Sequence, residues 1–177
     1  MAPLTDGATL SSGLLVARLV LGLLMVAHGT QKLFGWFRGY GLAGTAGFFE
    51  SLGYRPGRTF VTVASLAEVT GGLLLALGFL GPVGPALMIS VMIVAAVTVH
   101  RGNGLLATSN GIELPLLYAG GALAIALTGP GVYSLDSLLG LSHLWTPEVV
   151  WGVIAAGVVG GIVNVGLRRP APQGATA

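Results

Sequence analysis

The fold class that this sequence predicts is an all-α membrane protein, a four-helix transmembrane bundle followed by a fifth C-terminal transmembrane helix. Three observations predict it. The 177 residues are 54% hydrophobic and only 8% charged, with a mean hydropathy of +0.88, whereas a soluble domain carries roughly a quarter of its residues charged. Five apolar runs follow one another, each near the ~20 residues that cross a bilayer. The charged residues fall mostly between those runs. Residues 1–11 then read as an N-terminal tail, 12–129 as the four-helix domain, 130–147 as an outer interfacial connection, 148–168 as the fifth helix and 169–177 as a disordered tail.

The first run, residues 12–36, carries Arg18, His28, Gln31 and Lys32. A charge at the centre of a span costs about 2.5–3.5 kcal/mol even on the gentler scales, so these groups need partners. His28 and Lys32 are four apart and share a face with Gln31 beside them, which should look into the protein. Residues 43–53 have helical apolar spacing and predict a short helix lying in the interface. The second run, 59–80, has Thr59 as a candidate cap and a single acid, Glu68, between Ala67 and Val69. The third, 83–99, ends in His100 and Arg101, and a polar loop follows. The fourth opens at Glu113 with Pro115 in its first turn, where a missing amide is tolerated. The connection 130–147 holds Tyr133, Asp136, His143 and Trp145, of which Tyr and Trp favour the interface. In the fifth run, Gly157 and Gly161 form a small-xxx-small pair that would pack against the same chain or against a second copy in a homo-oligomer.

No cysteine is present, which excludes disulfides, thiolate metal sites and thiol chemistry by the chain itself. Eight Lys and Arg against six acids are too few and too scattered for a nucleic-acid stripe, so the bilayer is the expected partner. No Lys or Arg precedes the first run, the opposite of a secretory signal, and that span should be retained. With five spans, an external N-terminus puts Arg38, Arg55, Arg58, Arg101, Arg168 and Arg169 in the cytoplasm and leaves Asp136 and Glu148 outside. The expected topology is N-terminus out, C-terminus in.

At about 1.5 Å rise per residue, His28 and Glu68 sit at similar depths, roughly 9–14 Å below the cytoplasmic helix ends. His28, Lys32 and Glu68 are the candidate ligand-binding residues, with Arg18, Gln31, His100, Arg101 and Glu113 as supporting polar groups. Glu68 is expected to face His28, either as a structural hydrogen bond or as a proton relay. Simple anchoring at the interface accounts for Lys32, and a surface pair accounts for Arg101 and Glu113. Arg18 either snorkels outward or reaches towards Glu68. The histidines and acids form no metal-binding spacing.

The segments ARLVLGLLMVAHGTQKLFG, GLAGTAGFFESLGYRPG, ASLAEVTGGLLLALGFL, HRGNG and NGIELPLLYAGGALAIALTGPGVYSLD together resemble the DoxX family of small bacterial membrane proteins, over residues 14–136. The resemblance implies a four-span bundle in the bacterial inner membrane, with the fifth span outside the usual family pattern. The related DoxD branch supplies the membrane subunit of a thiosulfate:quinone oxidoreductase, and mycobacterial DoxX proteins are associated with a complex handling thiol and oxidative stress. Three functions are therefore weighed. One is a membrane subunit or anchor of a redox system, with a quinone held by His28, Lys32 and Glu68. Another is a non-enzymatic scaffold whose cytoplasmic loop recruits soluble redox proteins. The third is a small transporter, which the size of the chain and its lack of an internal repeat argue against.

Overall fold

The structure, a computed structural model, describes residues 7–169. Their regular structure is helical: α1 (Gly7–Phe34), α2 (Gly41–Ser51), α3 (Gly57–Leu77), α4 (Val83–Ala95), α5 (Glu113–Thr128), α6 (Leu135–Leu138) and α7 (Pro147–Gly166). Helices α1, α3, α7 and α4 with its continuation to Asn103 are long and apolar enough to cross a membrane. The fourth predicted span is α5, with 16 residues, about 24 Å of rise. It runs from the loop after α4 to the opposite end of the bundle, where Thr128 borders the same cavity as Arg18. Large apolar side chains such as Val16, Leu19, Val20, Leu23 and Leu24 of α1, or Ile162 and Val163 of α7, are exposed, as a lipid-facing surface requires.

The first helix is longer than its apolar run. It is already helical at Gly7, the first described residue, where the sequence predicts an N-terminal tail to residue 11; Ser12 bonds back to the Ala8 carbonyl at 2.9 Å and Ser11 is buried beside Gly131. Residues 1–6 lie outside the described residues, as do residues 170–177 of the predicted C-terminal tail.

One stripe of α1 decides how the bundle closes. Arg18, Gly22, Met25, Gly29 and Lys32 recur at alternating steps of four and three, so they share a face. Opposite them on α3 stand Ser65, Glu68, Gly72 and Ala76. A Cβ at Gly22 would lie 2.5 Å from the Gly72 carbonyl oxygen, and one at Gly29 2.8 Å from that of Ser65. Backbone therefore meets backbone, the small-residue mode of helix association in lipid. The same logic joins α4 to α7, where a Cβ at Gly157 would lie 2.6 Å from the Ala86 carbonyl and one at Gly161 2.9 Å from that of Ser90. These two glycines serve packing within the chain. Met25, Leu75, Met88, Met92, Ala122, Ile125 and Ile154 fill the space between the helices.

Thr59 does not cap α3. The helix begins two residues earlier, after Pro56, where Gly57 donates its amide to the Glu50 side chain at 3.0 Å. It ends at Gly78, whose φ of 62° is the left-handed stop that glycine adopts freely. The predicted interfacial helix is α2, with Gly53 at φ 94° as its stop. The end of α7 docks on this corner, since Arg168 Nε donates to the Leu52 carbonyl at 2.8 Å and the Arg169 amide to that of Gly53 at 2.8 Å. At the other end, the connection after α5 folds back over the bundle. Asp136 is fully buried and accepts from the amides of Leu80 (2.9 Å) and Gly81 (2.6 Å) and from Trp145 Nε1 (2.8 Å).

Candidate functional site

The α1–α3 stripe brings Lys32 onto Glu68. Lys32 Nζ donates to Glu68 Oε1 at 2.7 Å and Oε2 at 2.6 Å, the one ion pair among the described residues. The carboxylate side chain is only 5% exposed and the lysine 23%. Lys32 is thus a partner of the buried acid, which corrects its reading as an interfacial anchor. The cause is the close approach allowed by Gly29, which brings the α1 face within a lysine's reach of α3. Lys32 also donates to the His28 carbonyl at 3.3 Å. A charge-assisted, two-oxygen contact of this kind is strong only because water is largely excluded from it.

His28 does not meet Glu68 as its hydrogen-bond partner. Its ring stands edge-on to Tyr118 of α5, with centroids 6.0 Å apart and planes at 81°. Both rings nevertheless line one cavity with the ion pair. That cavity, of about 580 Å³, lies between α1, α3, α4 and α5 and extends towards α2 and α7. Its walls are mainly apolar, with His28, Lys32, Glu68, His100 and Tyr118 supplying polar groups. His100 reaches it through a wide π turn, Ala96–His100, that ends α4, and its Nδ1 lies 2.8 Å from the Asn110 carbonyl oxygen.

Two lining residues escaped the sequence reading. Tyr118 looks like an ordinary aromatic in an apolar run, and only the packing of α5 on α1 reveals its place. Tyr54 is 1% exposed, and its hydroxyl oxygen has no hydrogen-bond partner among the described residues. Burial pushes that phenol above the ordinary tyrosine range while the Arg168 charge acts in the opposite sense, so it stays a protonated donor at neutral pH.

The remaining candidates stand elsewhere. Gln31 packs its side chain on Gly39 and does not line the cavity. Arg101 is exposed and makes no ion pair with Glu113, which instead accepts from the Ala107 amide at 2.6 Å and closes the loop after α4. Arg18 neither snorkels nor reaches Glu68. Its Nη2 donates to the Tyr133 carbonyl at the opposite end of the bundle, because the folded-back connection brings a backbone acceptor to it.

The arrangement offers a bilayer-embedded slot with an ion pair and several aromatic and imidazole rings on its walls, suited to an amphiphile with a hydrogen-bonding head. The family description DoxX matches residues 13–101, which include His28, Lys32 and Glu68. The chain is similar to the inner membrane protein YqjF of Escherichia coli (strain K12), at 33% identity over 132 residues that cover 72% of this chain and 92% of that protein. No solved structure matches it significantly. The chain is a multi-pass membrane protein and belongs to the DoxX family.

Proposed function

We propose that the protein binds a quinone-like lipid in the 580 Å³ cavity and acts as the membrane subunit or anchor of a redox system in the bacterial inner membrane. The observation that carries this reading is the Lys32–Glu68 pair set into the wall of an apolar cavity. A quinone head needs a donor or proton acceptor at its carbonyls and an apolar slot for its tail. Lys32, His28, Tyr118 and Tyr54 supply the first, and Phe48, Phe49 and Phe60 contribute to the second.

A scaffold reading is favoured by one fact: the ion pair also ties α1 to α3 and would hold the bundle whether or not a ligand binds. His28 separates the two readings, since its ring lines the cavity edge-on to Tyr118 and takes no part in the ion pair that ties α1 to α3. Purified protein in a mild detergent should bind decylubiquinone saturably, and His28→Leu should weaken binding roughly tenfold or more with little change in melting temperature, as for a lost hydrogen bond to a ligand in a dry site. Arg101→Gln should leave affinity unchanged. A parent protein that retains no quinone and binds none leaves the scaffold as the function.

We further propose the orientation with the N-terminus outside and the C-terminus in the cytoplasm, from the arginine distribution. It puts the cavity's polar groups towards soluble redox partners on the cytoplasmic side. The chain has no native cysteine, so a cysteine at Ser142 should react with an impermeant thiol reagent on intact cells and one at Ser51 should not. The reverse pattern overturns the orientation.

A further inference from the structure

A second cavity, of about 270 Å³, lies at the other end of the bundle between α1, α3, α5 and α7. Arg18 forms part of its wall together with Leu75, Gly78, Thr128, Trp145 and Trp151. The arginine is 1% exposed. One of its nitrogens, Nη2, donates to the Tyr133 carbonyl. The other two, Nε and Nη1, are buried and have no acceptor among the described residues.

Leaving buried donors unmade is costly, and more so on a charged group. Asp136 is the nearby candidate to satisfy them, and its charge does act on Arg18. Its two oxygens, however, already serve Leu80, Gly81 and Trp145, and it makes no ion pair with Arg18. The fold also makes room for the guanidinium, since a Cβ at Gly78 would collide with Nη1. A cation that keeps free donors, walled by apolar and aromatic side chains, is the converse of the inner cavity, where the lysine is neutralised by its acid. Guanidinium donors match carboxylate and phosphate oxygens. Trp145 and Trp151 are of the type that settles at headgroup level.

We propose that this cavity binds an oxyanion borne on an apolar chain, a lipid phosphate or fatty-acid carboxylate, with Arg18 as its charge partner. The inference is independent of the quinone reading, because no residue is shared between the two cavities.

The test uses the full chain carrying Trp36→Phe in a neutral detergent, so that the fluorescence reports Trp145 and Trp151. Decanoate and a short-chain phosphatidic acid should change the emission saturably, whereas decanol and decyltrimethylammonium, which partition into micelles alike, should act roughly tenfold more weakly or not at all. Inorganic phosphate and acetate form the third arm. If they bind as tightly as decanoate, the apolar chain plays no part and the proposal of a chain-borne anion is overturned; if they do not, the anion comes with its chain. Arg18→Gln should abolish the response to anions and Arg18→Lys should keep part of it. Should Arg18→Gln fail to fold, Thr128→Phe, which fills the cavity, takes its place and should abolish the response. Equal responses to decanoate and decanol, no response to any anion, or an unchanged response in Arg18→Gln overturns the proposal.

Discussion

Replacing Asp136 by leucine should unfasten one whole end of the bundle. The substitution strands three part-buried donors at once, the amides of Leu80 and Gly81 and the indole nitrogen of Trp145. At about 1–3 kcal/mol for each unsatisfied group the loss is on the order of 3–9 kcal/mol, or roughly 10 °C or more in melting temperature for a domain of this size. Asparagine keeps one acceptor oxygen and should fall between leucine and the parent. Thermal unfolding in detergent, followed by tryptophan fluorescence, measures it. A leucine variant as stable as the parent would show that the carboxylate does not hold the connection to the α3–α4 turn. Because the Asp136 amide also bonds the Gly78 carbonyl at 3.0 Å, the leucine variant should in addition disturb Arg18 next to it.

The second large effect concerns the inner ion pair. Lys32→Met removes the cation and leaves a carboxyl group that is 5% exposed without its partner. Breaking a buried pair from one side costs about 3–5 kcal/mol. Glu68→Gln should cost less, about 1 kcal/mol, since the amide still accepts a hydrogen bond and the more exposed lysine reaches water. Combining Lys32→Met with Glu68→Gln should cost much less than the two single losses added together. Additivity within about 0.5 kcal/mol would mean that the two residues act independently, which their geometry denies. Chemical unfolding of the four proteins in mixed micelles reads the cycle directly.

Much of this architecture is legible in the sequence, for a simple reason: a bilayer demands apolar length, and length is visible. The runs, the interfacial helix α2, the misplaced Glu68 and the shared level of His28 and Glu68 can all be read from composition, spacing and a fixed rise per residue. What cannot be read is which group answers which. Lys32 lies two residues from the end of α1, so depth alone assigns it to the headgroups, and only the Gly22–Gly29 approach to α3 turns it inward. The alternation Arg18, Gly22, Met25, Gly29, Lys32 is present in the sequence and is the signal that could have found this. The partner of Arg18 has no such signal, since it is a backbone carbonyl 115 residues away. The tie of Arg168 to the Leu52 carbonyl is equally invisible. Backbone acceptors carry no residue type, and long-range contacts to them emerge only from the assembled fold.

The core between the two cavities has a consequence at the scale of the cell. Met25 and Met88 are fully enclosed, and Leu75 and Ala122 are no more than 2% exposed. They form a greasy septum, with Lys32 and Glu68 on one side and Arg18 and Asp136 on the other. A membrane under a potential stores energy as voltage, and each elementary charge that slips across 100 mV dissipates about 2.3 kcal/mol. Four ionisable side chains strung through one bundle would be a short circuit if they could pass a proton from hand to hand. Parted by methionine and leucine they are two separate electrodes, and the helix bundle between them is the dielectric.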